Sequence, residues 1–428
     1  MRTNGATLML ATALAVAFGC LMATPELFAT AKERVIYSFC SQSNCSDGYD
    51  PQGGMIFDSA GNLYGTASDL FLGGGPGTVY QLVPNKNGSW TENVLYTFCT
   101  GYDCVDGYGP EGNLTFDKNG NLYGTTTSAG VNGSGTAFEL TPSGNGQWTE
   151  NVLNSFDGTD GSYPEAGIIF DAAGNAYGTL YQGGPYSNGT VFELTQGENG
   201  QWTANVLLNF DHYTDIGANP EAGLIFDALG NLYGTTHDGG AHGYGVVFQL
   251  APSGNGLWKE TLVHSFDQNN KDGINPAAGL ILDQTGNLFG TTQFGGRYND
   301  GTVFELSPDA HGGWKEKLLH VFGSRGTLDG ANPVAGLILD AAGNLYGTTS
   351  SGGADKCGTV FELKHKGNKW KERLLYSFQT FGSGDGCSPQ ASLTFDAAGN
   401  LYGTTSGGGA SRNSPCYPDC GTVFEITP

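Results

Sequence analysis

The chain has 428 residues, of which 41 are Asp or Glu and 18 are Lys or Arg, and its formal net charge at pH 7 is −23. Nucleic acids and anionic membrane surfaces are bound through clustered Lys and Arg, so this balance argues against both as partners. The charge itself favours solubility of the folded protein and does not specify its fold.

Residues 1–31 have the pattern of a secretory signal peptide. Arg2 supplies the positive start, residues 8–23 form the apolar core, and Ala29-Thr30-Ala31 is a small-x-small cleavage site. Cleavage after this site leaves residues 32–428. We therefore predict an exported protein that is secreted or periplasmic.

Two alternatives to a cleaved signal peptide involve the membrane. A lipoprotein signal would attach a lipid at Cys20, which follows Ala17-Phe18-Gly19, although the phenylalanine matches that motif poorly. A retained anchor would need a span of about 20 apolar residues, and the apolar run is shorter. We expect no membrane span and keep the lipid anchor at Cys20 as the alternative.

One pentapeptide, Gly-Asn-Leu-Tyr-Gly or a close variant, recurs along the chain at intervals of 54–59 residues. Its first glycine stands at Gly61, Gly120, Gly174, Gly230, Gly286, Gly343 and Gly399. An unbroken period of this length predicts a repeat architecture. Because no shift in composition divides the repeats, we predict that residues 32–428 form a single domain.

Each repeat contains four short apolar runs, which in the third repeat are residues 167–171, 175–179, 189–194 and 202–210. These runs are rich in β-branched and aromatic residues and are bounded by Gly, Pro, Asn or Asp, which predicts strands. The first two are joined by a tight turn in which Gly174 can take a positive φ. Four antiparallel strands in about 56 residues favour a β-propeller blade over a solenoid coil.

The outer strands of the repeats predict how the ring closes. Six of them begin with or near a tryptophan, namely Trp90, Trp148, Trp202, Trp258, Trp314 and Trp370. The seventh repeat lacks such a strand, but residues 35–39 match residues 94–98 almost exactly in type. We therefore predict an all-β, seven-bladed propeller whose seventh blade is completed by residues 33–39. The tryptophans are assigned to packing between blades rather than to a stacking platform.

Eight of the nine cysteines lie beyond the signal peptide, and an even number in an exported protein favours disulfides. The predicted pairs are Cys40–Cys45, Cys99–Cys104, Cys357–Cys387 and Cys416–Cys420. Zinc binding would require Cys-x₂-Cys spacing and neighbouring histidines, which these loops lack. The pairs cluster near the junction of blades 6, 7 and 1, where we expect them to support ring closure.

An aspartate precedes the innermost strand of every predicted blade, mostly within Asp-Gly-x-x-Pro. The series is Asp47, Asp106, Asp160, Asp215, Asp272, Asp329 and Asp385. Seven carboxylates around one mouth of the channel could bind Ca²⁺, which prefers oxygen ligands. Asp-Gly also starts turns through hydrogen bonds to the backbone. We favour the turn, because a feature of every blade is usually architectural, and keep calcium as the alternative.

Loop residues that break the repeat are better candidates for a ligand site. The loops after each outer strand and after each second strand are expected on one face of the ring. The candidates there are Tyr181, His212, Tyr213, His237, Asp238, His242, Arg297 and Tyr298. Histidines beside an aspartate can hold a metal or act as an acid–base pair, although scattered surface residues in Gly-rich loops explain the same pattern. Since no catalytic fingerprint is present, we name no catalytic residue.

The repeated motif also suggests a family. Residues 232–240, Leu-Tyr-Gly-Thr-Thr-His-Asp-Gly-Gly, and residues 245–250, Gly-Val-Val-Phe-Gln-Leu, resemble the "GloVer" tandem repeats of bacterial choice-of-anchor surface proteins. The resemblance covers residues 33–428 and implies an exported bacterial protein, often attached to the envelope by a variable C-terminal anchor. The chain ends at Pro428 without a sorting tail, which favours release or periplasmic residence. The hairpin is also similar to that of NHL-type propellers.

We interpret the chain as a monomeric binding or scaffold module whose partner is a carbohydrate or a protein. An extracellular enzyme with its site on the loop face, such as a polysaccharide lyase or a lactonase-like hydrolase, is the first alternative. A purely structural envelope protein is the second. The fold does not choose among them, because propellers serve all three roles. No cofactor is expected unless the aspartate series binds calcium.

Overall fold

The structure, a computed structural model, describes residues 31–68, 75–212, 214–367, 369–380, 382–409 and 420–428. The predicted signal peptide, including Cys20, therefore lies outside the described residues, apart from Ala31 at its end. Tyr213 and Cys416 lie outside them as well. Among the described residues, the one helical segment is a 3₁₀ turn at Ser43–Cys45, and no helix is long and apolar enough to cross a membrane.

The strands form seven antiparallel sheets of four, arranged as the predicted propeller blades. The innermost strands are Ile56–Phe57, Thr115–Phe116, Ile169–Phe170, Ile225–Phe226, Ile281–Leu282, Ile338–Leu339 and Thr394–Phe395. The second strands are Leu63–Ala67, Leu122–Thr126, Ala176–Leu180, Leu232–Thr236, Leu288–Thr292, Leu345–Thr349 and Leu401–Thr405. The third strands are Thr78–Pro84, Thr136–Gly144, Thr190–Gln196, Val246–Gly254, Thr302–Pro308, Thr359–Lys366 and Thr422–Thr427. The outer strands are Trp90–Thr97, Gln147–Ser155, Trp202–Asn209, Leu257–Ser265, Trp314–Val321, Lys369–Ser377 and Lys32–Ser38.

The prediction that the N-terminal strand closes the ring is confirmed. Lys32–Ser38 pairs antiparallel with Thr422–Thr427, with Lys32 opposite Thr427. Its register shifts between Val35 and Tyr37, and each of the other six outer strands has a shift at the equivalent place. The N-terminal strand therefore reproduces the β-bulge of the repeat and covers the outer edge of the third strand, Thr422–Thr427, which would otherwise be unpaired.

The hydrophobic core lies between the blades. A phenylalanine that directly follows each outer strand packs against an aromatic ring on the third strand of the next blade, edge-on in six pairs and tilted in Phe156–Phe192. The pairs are Phe39–Tyr80, Phe98–Phe138, Phe156–Phe192, Phe210–Phe248, Phe266–Phe304, Phe322–Phe361 and Phe378–Phe424, with ring centroids 5.0–5.3 Å apart. Trp90 packs on Tyr402, and Trp258 on Tyr177, across the same junctions. Packing between blades is thus the role of the repeated aromatic residues, as predicted.

The inner hairpin of each blade is fixed by an aspartate at its start. In blade 1, Asp58 Oδ1 accepts hydrogen bonds from the backbone N–H groups of Ala60 and Asn62. Asp58 Oδ2 accepts from the Asn62 side chain at 2.7 Å and from the Tyr64 hydroxyl at 3.0 Å. Burial acts to raise the pKa of Asp58, but these hydrogen bonds outweigh it and lower the pKa below its ordinary value.

Three of the four predicted disulfides are present, Cys40–Cys45, Cys99–Cys104 and Cys357–Cys387. Cys420 is also disulfide-bonded, and its predicted partner, Cys416, lies outside the described residues. Cys357 is in the loop after the second strand of blade 6, whereas Cys387 precedes the innermost strand of blade 7. This bond therefore links two neighbouring blades.

The two sets of loops predicted to share a face pair with each other directly. Tyr108 bridges Ser128, Ala218 bridges Asp238, and Gly273–Ile274 pairs with Phe294–Gly295. Equivalent pairings are Ser162 with Gln182, Ala331 with Ser351, and Gly386–Cys387 with Gly407–Gly408. Each pairing joins the loop that enters a blade to the loop after its second strand, so both loops lie at the same face of the ring.

Candidate functional site

The innermost strands surround a central channel, and the residues at its mouth break the sevenfold symmetry. The residue after the proline of each entering loop lines this mouth, and the seven residues are Gln52, Glu111, Glu165, Glu221, Ala277, Val334 and Gln390. Together with Gln293 they enclose a cavity of about 340 Å³, which opens onto a channel cavity of about 410 Å³. At the position after the proline, blades 7 and 1 to 4 thus give the mouth a polar arc and blades 5 and 6 an apolar arc, to which Gln293 of blade 5 adds one amide.

The repeat scaffold holds the mouth residues in place. Pro164, which precedes Glu165, packs closely on Gly135 of the previous blade. A β-carbon added to Gly135 would lie 2.7 Å from Pro164 Cδ. The Thr125 hydroxyl donates a 2.8 Å hydrogen bond to the carbonyl of Ala166, the residue after Glu165. Because both neighbours of the glutamate are fixed, its side chain projects from a rigid rim.

The three glutamates at the mouth hold protons more strongly than ordinary carboxyl groups do. Burial, followed by the charge of Asp50, raises the pKa of Glu111 to about 7. Burial, Glu221 and Glu111 raise the pKa of Glu165 to about 8, although His237 opposes the shift. Burial also raises the pKa of Glu221. Near neutral pH the mouth therefore contains both carboxylic acids, which donate hydrogen bonds, and carboxylates, which accept them.

Three of the loop residues chosen from the sequence lie beside this mouth. His237 Nδ1 is 3.1 Å from Asp238 Oδ1, and this hydrogen bond, with a further contribution from Glu221, raises the pKa of His237. Burial and the charges of Glu221, Glu165 and Asp238 raise the pKa of Tyr181. Tyr181, His237 and Asp238 are therefore close enough to the mouth glutamates to interact with them electrostatically.

The remaining described loop candidates are surface residues. His212, His242, Arg297 and Tyr298 are exposed, and the Arg297 guanidinium lies 5.7 Å from the ring centroid of Tyr298. Of the seven candidates within the described residues, the structure thus brings three together, and Tyr213 lies outside the described residues. The glutamates were missed because Glu and Gln after a proline resemble ordinary turn residues. The sequence feature that could have found the glutamates is the variation at the position after the proline. The residues immediately before and after that position hardly change between repeats.

The aspartates that precede the innermost strands hydrogen-bond within their own loops. Asp47 Oδ2 accepts from the Tyr37 hydroxyl at 2.7 Å and from the backbone N–H of Ser41 at 2.8 Å. Asp106 makes the same contacts with Tyr96 and Cys99, both at 2.9 Å. Each aspartate thus accepts hydrogen bonds from its own loop and from the tyrosine at the end of the preceding outer strand, which are local contacts of the kind that the turn interpretation describes.

Comparison with known sequences assigns the repeat. The model of the Gloeobacter/Verrucomicrobia repeat matches three overlapping segments, residues 26–212, 145–325 and 261–428. The chain belongs to the Gloeobacter/Verrucomicrobia repeat family. This confirms the resemblance carried by the repeated motif over the whole propeller. No curated protein sequence matches the chain.

Solved structures share the fold at low sequence identity. The extracellular domain of a proposed one-component system from B. thetaiotaomicron is 9% identical with a TM-score of 0.54, covering 93% of this chain and 40% of that one. This chain thus spans well under half the length of that domain. A proposed 6-phosphogluconolactonase from Bacteroides uniformis is 12% identical with a TM-score of 0.50, covering 93% of this chain and all of the other. At these identities the likeness concerns the fold alone.

Proposed function

We propose that this chain is an extracellular binding module that holds a carbohydrate at the mouth of its central channel. The observation that carries the proposal is the break in symmetry at the mouth, where Glu111, Glu165 and Glu221 share one cavity with Gln52 and Gln390. Concave sites with a few fixed polar groups are the usual binding sites of small ligands. An extracellular location agrees with the disulfides, which persist in oxidising compartments.

The chemistry of the mouth matches a sugar better than it matches an ion or an apolar ligand. A sugar ring presents hydroxyl groups at its edge, each of which both donates and accepts a hydrogen bond, and it has apolar C–H faces. Carboxyl and amide side chains on the polar arc can satisfy the hydroxyls. Ala277 and Val334 on the opposite arc provide the apolar surface.

A glycan array followed by calorimetry tests the proposal. We expect a soluble oligosaccharide to bind with one site per chain and the double variant E165Q/E221Q to weaken binding at least tenfold. The variant V334W should block the mouth sterically. The matched control is E198Q, because Glu198 is exposed on a loop. Binding that survives both mouth variants, or a complete lack of glycan binding, would count against the proposal.

An enzyme is the second candidate, because His237 and Asp238 form a hydrogen-bonded pair beside Glu221. A histidine of raised pKa next to carboxyl groups of raised pKa can act in general acid–base catalysis, as a lyase or a lactonase-like hydrolase requires. Incubation with the bound glycan distinguishes the two roles. A binding module forms no product, whereas an enzyme forms product and loses turnover in H237A while the glycan still binds.

A further inference from the structure

A second cluster of polar side chains lies between blades 4 and 5, at the outer strands rather than the channel. His264 is on the outer strand of blade 4, Asp272 is in the loop that follows it, and Glu316 is on the outer strand of blade 5. His264 Nε2 is 3.2 Å from Asp272 Oδ2. One ligand atom from each of the three side chains lies within 4.8 Å of the other two.

Contacts around the cluster orient two of these side chains. Asp272 is buried, and its Oδ1 and Oδ2 accept hydrogen bonds from the backbone N–H groups of Gly273 and Asp267. The His264 ring packs edge-on against Phe266, 4.7 Å away. In metal sites, contacts of this kind hold the side chains that bind the metal in a fixed orientation.

Glu316 supplies the third possible ligand. Its Oε1 atom is buried and has no hydrogen-bond partner among the described residues, and the equivalent oxygens of Glu33, Glu92 and Glu150 share this feature at the junctions that have a tyrosine. Leaving a buried carboxyl oxygen unpaired is costly, so such atoms usually have a ligand, an ion or a water beside them. Burial, with the nearby Asp272, raises the pKa of Glu316 to about 8. A proton is therefore the competitor of any cation at this position.

The equivalent positions at the other junctions between blades have different residues in place of His264 or have a cation beside the glutamate. In three of them a tyrosine stands in place of His264 and donates to the aspartate, the three being Tyr37, Tyr96 and Tyr376. Between blades 5 and 6 the group is His320, Asp329 and Glu372, and there Arg325 Nη2 lies 3.1 Å from Glu372 Oε2. The chain thus supplies its own cation to the other pocket that contains a histidine. Five residues after His264, where Arg325 follows His320, the chain has Asn269.

We propose that His264, Asp272 and Glu316 bind one zinc ion, which links blades 4 and 5. One imidazole nitrogen and two carboxylate oxygens, completed by water, form a ligand set that zinc accepts. Ligand atoms about 2.0–2.2 Å from a tetrahedral zinc lie roughly 3.3 Å apart. His264 and Asp272 have this spacing, 3.2 Å, in a direct hydrogen bond that the metal would replace, and the three ligand atoms lie within 4.8 Å of one another. The His264 side chain is 20% exposed, so solvent and metal can reach the site.

The test is a metal titration of the full chain, purified without a polyhistidine tag and stripped with a chelator. Cobalt(II) is the spectroscopic probe. We expect one equivalent of Co²⁺ to give a visible absorption band, which zinc displaces, and Zn²⁺ to raise the melting temperature. H264Y restores the tyrosine of the other junctions and should fold, but it should bind Co²⁺ at least tenfold more weakly. E316Q should behave in the same way.

Two control variants locate the metal. H320Y changes the equivalent junction between blades 5 and 6, and H237A changes the channel mouth, so both should keep the cobalt band. A band that persists in H264Y and E316Q, or one that disappears in H237A, would place the metal elsewhere and overturn the proposal. The absence of any band or thermal shift at millimolar Co²⁺ and Zn²⁺ would overturn it as well.

Discussion

Gly124 lies directly against the ring of Phe138, so that a β-carbon on Gly124 would come within 2.6 Å of Phe138 Cζ. Its φ is not positive, so the lack of space is what requires glycine. The other glycine of the same pentapeptide, Gly120, has a φ of +86° and nothing within 4 Å of its would-be β-carbon. The two glycines of the repeated motif thus serve different purposes, one for packing and one for the turn.

We expect G124A to destabilise the protein by about 1–3 kcal/mol, because Phe138 is buried against Phe98 and cannot move away. Urea unfolding measures the effect. Leucine at position 138 is smaller than phenylalanine and makes room for the added methyl group. G124A should therefore cost less stability in the F138L background than in the wild-type protein. Additive effects of the two changes would show that the contact is not the cause.

Y80F should stabilise the protein by about 1–3 kcal/mol. Tyr80 is fully buried, and its hydroxyl has no hydrogen-bond partner among the described residues. The other six blades have phenylalanine at this position, so the ring without the hydroxyl fits the site. Thermal unfolding checks the gain, and the reverse change F138Y is the control, which should destabilise. A lower melting temperature for Y80F would indicate that the hydroxyl is satisfied.

Stability should fall as the pH rises from about 5 to 8. Burial, together with Asp47 and Asp106 respectively, raises the pKa values of Glu92 and Glu150 from 4.5 to about 7. The folded state therefore binds more protons than the unfolded state between these values, so the stability from these groups is lost as pH rises from 4.5 through 7. Melting temperatures across this range measure the effect. The variant E92Q/E150Q should flatten the profile, and an unchanged slope would contradict the assignment.

Removing the disulfide between blades should cost more than removing a local one. Cys357 and Cys387 are 30 residues apart, whereas Cys99 and Cys104 are 5 apart. The chain-entropy estimate makes the longer loop worth about 1.5 kcal/mol more. We expect C357S/C387S to unfold at lower denaturant concentration than C99S/C104S. Equal losses would mean that the constraint on the unfolded chain is not the main contribution.

The sequence by itself determined the ring. Seven repeats, the strands in each, the tyrosine-rich hairpin and the closing strand at residues 33–39 all follow from local patterns that recur at a nearly constant spacing. Repetition makes such patterns readable, because every blade has to bury the same faces against its neighbours. Three disulfides followed from spacing and compartment in the same way.

Only the tertiary structure decided which residues meet at the two proposed sites. Glu111, Glu165 and Glu221 are more than fifty residues apart from one another along the chain, and His264 and Glu316 belong to different blades. The arrangement of the seven blades around one axis brings such residues together. Burial then raises the pKa values of Glu165 and Glu316. A single repeat contains neither group, because both arise from differences between repeats that only the closed ring places side by side.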